Sequence, residues 1–167
     1  ALAQMLAELG IGCRHRQTVG DNLGRLTESL ITALSRADIV ITIGGLGPTQ
    51  DDLTREGIAA ALGESMIVDE GVAERLRRLF AQRNLPWVDS QIRQAMRPPS
   101  GAPIENPNGT APGLVCRKEG KTVIAMPGPP SEFLPMMLGT VRDVLLELGG
   151  CGVIHSRTVR ISGLGES

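Results

Sequence analysis

Asp38-Ile39-Val40-Ile41-Thr42-Ile43-Gly44-Gly45-Leu46-Gly47-Pro48-Thr49-Gln50-Asp51-Asp52-Leu53-Thr54 is the stretch on which the reading of this chain turns. Its first half is a β-branched apolar run, as required of a strand buried on both faces of a parallel sheet. Its second half is a glycine-rich loop that opens a helix. In open α/β sheets, the carboxyl end of a strand is where ligands bind. Glycines there permit positive φ and let backbone N–H groups approach a ligand closely, and a helix start adds donors and positive dipole suited to phosphate. The loop lacks the Gly-Lys-[Ser/Thr] ending of a P-loop. Gln50 stands where a dinucleotide fingerprint would place its last glycine.

Outward from this stretch, helical and extended patterns alternate. Leu2, Met5, Leu6 and Leu9 recur at helical spacing and Gly10 follows as a stop. Residues 12–19 read as a strand. Asp21 or Asn22 caps a helix carrying Leu23, Leu26, Leu30, Ile31 and Leu34 on one face. A short helix spans 53–62, an extended piece 66–68, an amphipathic helix 70–84, and a short helix runs from Asp89 to Met96. Pro98, Pro99 and Pro103 predict a loop that continues to Gly113. Residues 114–117 and 122–126 read as a hairpin around Glu119-Gly120. A long helix is expected over 131–148, and a last strand over 155–162. The sum is a three-layer α/β/α sandwich with a mostly parallel sheet and one antiparallel hairpin.

The chain has 167 residues, the size of one domain. Residues 1–155 are assigned to it, and 156–167 to the start of a following segment. The opening reads as the interior of a helix, which predicts a piece of a longer protein. Lys+Arg 17 against Asp+Glu 18 leaves a net charge of −1, without the basic excess that a polyanion-binding surface needs. Phe80, Trp87 and Phe133 are the only aromatics, too few for a platform that stacks bases. Direct nucleic-acid binding is therefore not expected. No apolar stretch approaches the roughly 20 residues of a spanning helix, so no membrane role is expected. Cys13, Cys116 and Cys151 form no C-x-x-C or Cys/His cluster, which fits a reducing cytoplasm. His15 and His155 read as strand residues.

Three loops concentrate the chemistry. In the first, Asp51 and Asp52 beside a phosphate cradle would repel each other unless a cation bridged them, which makes both candidates to hold Mg²⁺. The alternative is a capping box of Thr49 and Asp52, with Asp51 complementing the helix dipole. The second loop is Asn106-Pro107-Asn108-Gly109-Thr110-Ala111-Pro112-Gly113, either a close-lying ligand loop or a polar connector. The third is Met126-Pro127-Gly128-Pro129-Pro130-Ser131-Glu132, again strand, glycine turn and helix start. Here Glu132 is either a further acidic group of the site or a dipole partner. The candidate binding positions are Gly44, Gly45, Leu46, Gly47, Pro48, Thr49, Asn108, Gly109, Thr110, Pro127, Gly128 and Glu132. Asp51 and Asp52 are the candidate catalytic and metal-holding pair.

Together, Thr42–Thr54, Asn106–Gly113, Ala125–Glu132 and the closing Ile161-Ser-Gly-Leu-Gly-Glu-Ser167 resemble the molybdopterin-binding (MoaB/MogA-like) domain, and more closely the N-terminal domain of the CinA, or competence/damage-inducible protein A, family. The resemblance implies a three-layer fold that self-associates into a homo-oligomer. In molybdenum-cofactor relatives the loop matching Gly44–Thr54 binds the phosphate of pterin or nucleotide, and its acid, matched by Asp52, assists metal-dependent adenylyl chemistry. An Arg commonly precedes that acid there; here the position is Asp51. For CinA-type proteins the resemblance implies a Mg²⁺- or Co²⁺-dependent ADP-ribose pyrophosphatase in pyridine-nucleotide recycling, with ADP-ribose, AMP or molybdopterin as ligand. It also implies a separate C-terminal domain that deamidates nicotinamide mononucleotide. The alternative is a non-catalytic pterin- or nucleotide-binding and dimerisation module. Two departures stand out: the family's opening Gly-[Thr/Asp]-Glu-Leu strand is absent, and Gln91 replaces the Asn usual before the Gln94-Ala95 pair.

Overall fold

A computed structural model describes residues 2–149. The apolar run Ile39–Ile43 forms β1, preceded by α1 (Leu2–Glu8) and α2 (Leu23–Arg36) and followed by α3 (Thr54–Ala61). Then come β2 (Ile67–Val68), α4 (Glu70–Gln82), a 3-10 helix (Asp89–Ala95), β3 (Met96–Arg97), β4 (Gly101–Ile104), β5 (Gly113–Lys118) and β6 (Lys121–Met126). The described residues close with α5 (Pro130–Met136), a π-helical turn (Met137–Val141) and α6 (Arg142–Leu148).

The main sheet has the order β1-β6-β5-β4. β1 is parallel to β6, β5 is antiparallel to β6, and β4 is antiparallel to β5. The expected hairpin is present, but the sheet is mixed rather than mostly parallel among the described residues. One of its two antiparallel pairings comes from residues 101–104, which read as loop because of their prolines. Pro103, on β4, lies level with Leu114 of β5, the one strand that pairs with β4 among the described residues. A proline that cannot donate to a ladder is tolerated on such an edge strand.

Side chains alternate across the sheet and build the three layers. Val115, Ile124 and Met126 face one way, into a core with Met5 and Leu6 of α1, Met136 of α5 and Leu145 of α6. Leu114, Cys116, Val123 and Ala125 face the other way, against Leu30 of α2 and Ile58 of α3. β1 follows the same rule, with Ile39 and Ile41 on the first face and Val40 on the second. A smaller cluster of Val72, Ala73, Leu76 and Ala95 joins α4 to the 3-10 helix. Asp69 anchors this side region: it caps α4 through Val72 N–H at 3.0 Å and accepts from Arg97 Nε at 2.7 Å.

Two further expectations need correction. Residues 12–19 form no strand. They are mostly polar and exposed, and so bring no apolar face that burial in a sheet would reward. The helix expected over 131–148 is broken. Pro135 removes a backbone donor inside it, and Gly139 departs from helical backbone (φ −97°, ψ −114°). The strand expected over 155–162 lies outside the described residues, as does His155. No helix among the described residues is long and apolar enough to cross a membrane.

Leu145 and Leu146 are adjacent, yet Leu145 is 0% exposed and Leu146 is 48% exposed. Leu145→Ala should lower unfolding free energy by about 3 kcal/mol through lost transfer energy and a residual cavity. Leu146→Ala should change it by less than about 0.5 kcal/mol. Paired urea denaturations check both; equal effects would contradict the placement of α6.

Candidate functional site

Strand direction brings the three glycine loops to one edge. In the parallel pair, Ile43 lies level with Met126, so β1 and β6 end together. β5 runs the other way, with Leu114 opposite Ala125, so its beginning shares that edge. The end of β4 does too, because Ile104 pairs with Gly113. Gly44 N–H extends the ladder by donating to Met126 C=O at 2.8 Å. A Cβ on Gly128 would sit 3.6 Å from the Gly44 Cα, so the first and third loops touch.

In the first loop Gly44 and Gly45 turn the chain out of β1 with φ of 100° and 68°, values that favour glycine. Thr54 then fastens the far end: its hydroxyl donates to Gly44 C=O at 2.8 Å and its N–H to Gly45 C=O at 3.1 Å. Between them Thr49 donates to Asp52 Oδ2 twice, from its N–H at 3.0 Å and from its hydroxyl. That is one arm of the anticipated capping box, but it closes a turn ahead of the helix. Leu53 is the N-cap of α3, and no side chain caps it. Thr54 and Arg55 are buried, so the helix start lies beneath the loop; Thr49, Gln50 and Asp51 are exposed above it.

The second and third loops meet through Asn106 and Glu132. Asn106 Nδ2 donates to Glu132 Oε2 at 2.7 Å and to Ala111 C=O at 2.8 Å, while its Oδ1 accepts from Asn108 N–H at 3.1 Å. Asn108 Nδ2 reaches Ser131 C=O at 2.7 Å. Gly109 lies so close to Glu132 and Asn106 that a Cβ would collide with both. Pro127 is buried, Gly128 is exposed, and Leu46 is 1% exposed beneath the first loop. Thr110 and Pro48 are half-buried.

Three polar side chains of this edge were not singled out from sequence. Asn106 is one, 5% exposed; a polar residue opening a glycine loop was its signal. Arg55 is the second, 3% exposed, donating from Nη1 to Leu46 C=O at 2.6 Å and from Nη2 to Pro112 C=O at 3.2 Å. It ties the first loop to the second. Arg93 is the third, reaching from the 3-10 helix to Thr49 C=O at 2.6 Å, Asp52 C=O at 3.3 Å and Glu56 Oε1 at 2.6 Å. Nothing local marks Arg55 or Arg93, because their partners, backbone carbonyls and for Arg93 also the Glu56 carboxylate, are nine or more residues away in sequence.

The acidic groups are divided between loops: Asp51 and Asp52 lie on the first, and Glu132 lies on the third, against Asn106 and Gly109. Partial burial works against ionisation of Asp52. The Thr49 hydroxyl, the Gly47 and Thr49 backbone and the nearby Arg55 guanidinium outweigh it and hold the carboxyl below its usual range. Burial pulls the pKa of Arg55 down to about 10, which leaves it charged at neutral pH. Among the described residues, no three His, Cys, Asp or Glu side chains gather as a ready-made metal site. Asp51 is exposed, and the Thr49 donors engage only Oδ2 of Asp52. A cation held by this pair would need waters and ligand oxygens to complete its coordination. Burial pushes the Cys116 thiol up to about 12, so it is no nucleophile.

A family described as "Probable molybdopterin binding domain" matches residues 1–147. The structure of CinA from Thermoplasma acidophilum, described as of unknown function, superposes with a TM-score of 0.79 at 35% identity, over 86% of this chain and 84% of that one. The chain belongs to the molybdopterin-binding domain family and, within it, to the CinA-like proteins. A putative competence-damage inducible protein of Acetivibrio thermocellus is 40% identical over 166 residues, 99% of this chain and 40% of the relative. This CinA-like chain thus spans about 40% of the length of such relatives. A molybdopterin biosynthesis protein from Mycobacterium abscessus shares the fold, with a TM-score of 0.55 at 19% identity over 89% of this chain and 79% of that one.

The Thr49–Asp52 clasp has a pH signature. A carboxyl whose pKa is lowered by folding contributes stability above its unfolded pKa of about 3.9, and that contribution is lost as pH falls through the folded value. Thr49→Val removes the hydroxyl donor, so the Asp52 pKa should rise in a carboxyl NMR titration. The variant should be less stable than wild type at pH 7, and the difference should shrink below about pH 4. An unchanged Asp52 titration would show that the hydroxyl does not stabilise the carboxylate.

Proposed function

We propose that the three loops of this CinA-like domain hold the phosphates of a nucleotide, and that the domain is a divalent-metal-dependent ADP-ribose pyrophosphatase serving pyridine-nucleotide recycling. The observation that carries the reading is the close approach of Gly44 and Gly128 at the common edge of β1 and β6, where the loop that carries Asp51 and Asp52 begins. Two strand-to-helix glycine turns side by side present backbone N–H groups to one small volume, a recurrent way of cradling phosphate.

In this reading the N–H groups of Gly45 to Gly47 and of Gly128 orient the diphosphate. Asp51 and Asp52 would hold Mg²⁺ or Co²⁺, which would supply neutralisation of the diphosphate charge and activation of water. Asp52 is kept ionised for this by Thr49 and Arg55. Glu132 borders the ligand, oriented by Asn106. One water is consumed and one diphosphate P–O bond broken, giving AMP and ribose 5-phosphate. Self-association of the chain into a homo-oligomer belongs to the same proposal.

A second reading is a module that binds molybdopterin or a nucleotide without turnover and serves in dimerisation. What favours it is that Asp51, Asp52 and Glu132 do not gather into a three-group metal site among the described residues. The decisive experiment is ADP-ribose hydrolysis with and without Mg²⁺ or Co²⁺. Asp52→Ala should slow metal-dependent hydrolysis by about a hundredfold, as loss of a charge-stabilising group does. Equal rates in the two proteins would remove Asp52 from the mechanism. Calorimetric binding of AMP or molybdopterin with no product formed would favour the module.

A further inference from the structure

Arg55 is a cation placed where cations are rarely found. Its side chain is buried, and its hydrogen-bond partners are two neutral carbonyls, Leu46 C=O at 2.6 Å and Pro112 C=O at 3.2 Å. Among the described residues, no carboxylate lies within 4.0 Å of it, whereas Arg93, Arg97 and Arg117 each have one. A buried charge without a contact counter-ion is costly unless its surroundings supply negative potential. Two carbonyl dipoles meet part of that demand. The rest falls to the charged groups around it: Asp52 on the loop above, Glu56 and Arg93 beside it, and the paired Asp69 and Arg97 across a small cavity that Arg55 also lines.

The carbonyls that Arg55 grips belong to different loops. Leu46 lies in the first glycine loop and Pro112 ends the second, so one rigid fork sets the distance between them. The guanidinium therefore sits at the root of both loops, on the side away from solvent. There its field is little screened by water or salt.

We infer that Arg55 is the built-in counter-charge of this site: a buried guanidinium that fixes the spacing of two phosphate-facing loops and keeps their acidic surface receptive to an anion. The inference rests on the phosphate-binding reading above, and it explains how loops bearing Asp51, Asp52 and Glu132 tolerate a negatively charged ligand. Arg55 does not touch the ligand. It acts through the loops and through its charge, as a positioning residue.

The test separates charge from hydrogen bonding and from folding. Arg55→Gln keeps donors but loses the charge; Arg55→Lys keeps the charge but loses the fork. Two readouts are taken on each variant and on wild type: the Asp52 pKa by carboxyl NMR, and AMP affinity by calorimetry in the presence of Mg²⁺. In Arg55→Gln the Asp52 pKa should rise and AMP should bind about tenfold more weakly. In Arg55→Lys the Asp52 pKa should stay near wild type and affinity should fall no more than about threefold. An Arg55→Gln protein matching wild type in both readouts would overturn the inference. So would an Arg55→Lys protein whose Asp52 pKa rises and whose affinity falls tenfold although the charge is retained, which decides the matter even if the Gln variant does not fold. If wild type itself binds no AMP, the phosphate reading fails, while the Asp52 titration still reports whether the Arg55 charge acts on the loop.

Discussion

The parallel pairing of β1 with β6 is the constraint from which the site follows. Parallel neighbours end at the same edge of a sheet, so the turns that leave them must begin side by side. The hydrogen bond from Gly44 N–H to Met126 C=O carries that pairing one residue beyond the strands. It brings the first turn so near the third that a Cβ on Gly128 would rest at van der Waals distance, 3.6 Å, from the Gly44 Cα. The hairpin then adds a third loop without a further crossover. Its reversal at Glu119-Gly120 returns β5 antiparallel to β6, and the loop before β5 necessarily opens at that edge.

The loops are held by polar contacts that run between them. Thr54 pins the first loop to its own strand, Asn106 pins the second to Glu132 of α5, and Arg55 pins the first to the second. Each pin uses a side chain to satisfy a carbonyl or carboxylate that a helix or strand would otherwise have to pair. The consequence is a surface of small residues and backbone groups with little freedom to collapse, which is the preorganisation that phosphate recognition requires.

How much of this could be read from the chain depended on whether its cause was local. The apolar run 39–43 and the glycines after it declare a strand and a turn by composition alone, and both are where that composition puts them. The hairpin is equally local, since its register follows from a two-residue turn with positive φ at Glu119 and Gly120. β4 escaped because Pro103 argues against a strand unless the strand is known to lie at an edge, and edges are a property of the whole sheet. Residues 12–19 were misread for the mirror reason. Their pattern alone cannot show that no partner pairs with them among the described residues. Arg55 and Arg93 were invisible because an arginine that donates to remote carbonyls leaves no periodicity, spacing or charge partner nearby in the chain.

Arg93 shows that the site also depends on a region outside the main sheet. It sits on the 3-10 helix, whose Ala95 packs with Val72, Ala73 and Leu76 of α4 in a separate small core. From there its guanidinium spans Thr49, Asp52 and Glu56, the two ends of the Thr49–Asp52 clasp and the first turn of α3. Of those carbonyls, Thr49 lies in the exposed part of the loop and Asp52 at its half-buried end. The small core therefore acts as a buttress: it holds Arg93, and Arg93 holds the carbonyls between which the Asp52 carboxylate is presented. The main sheet decides where the loops emerge. The side region helps decide how firmly the acidic end of the first loop is held.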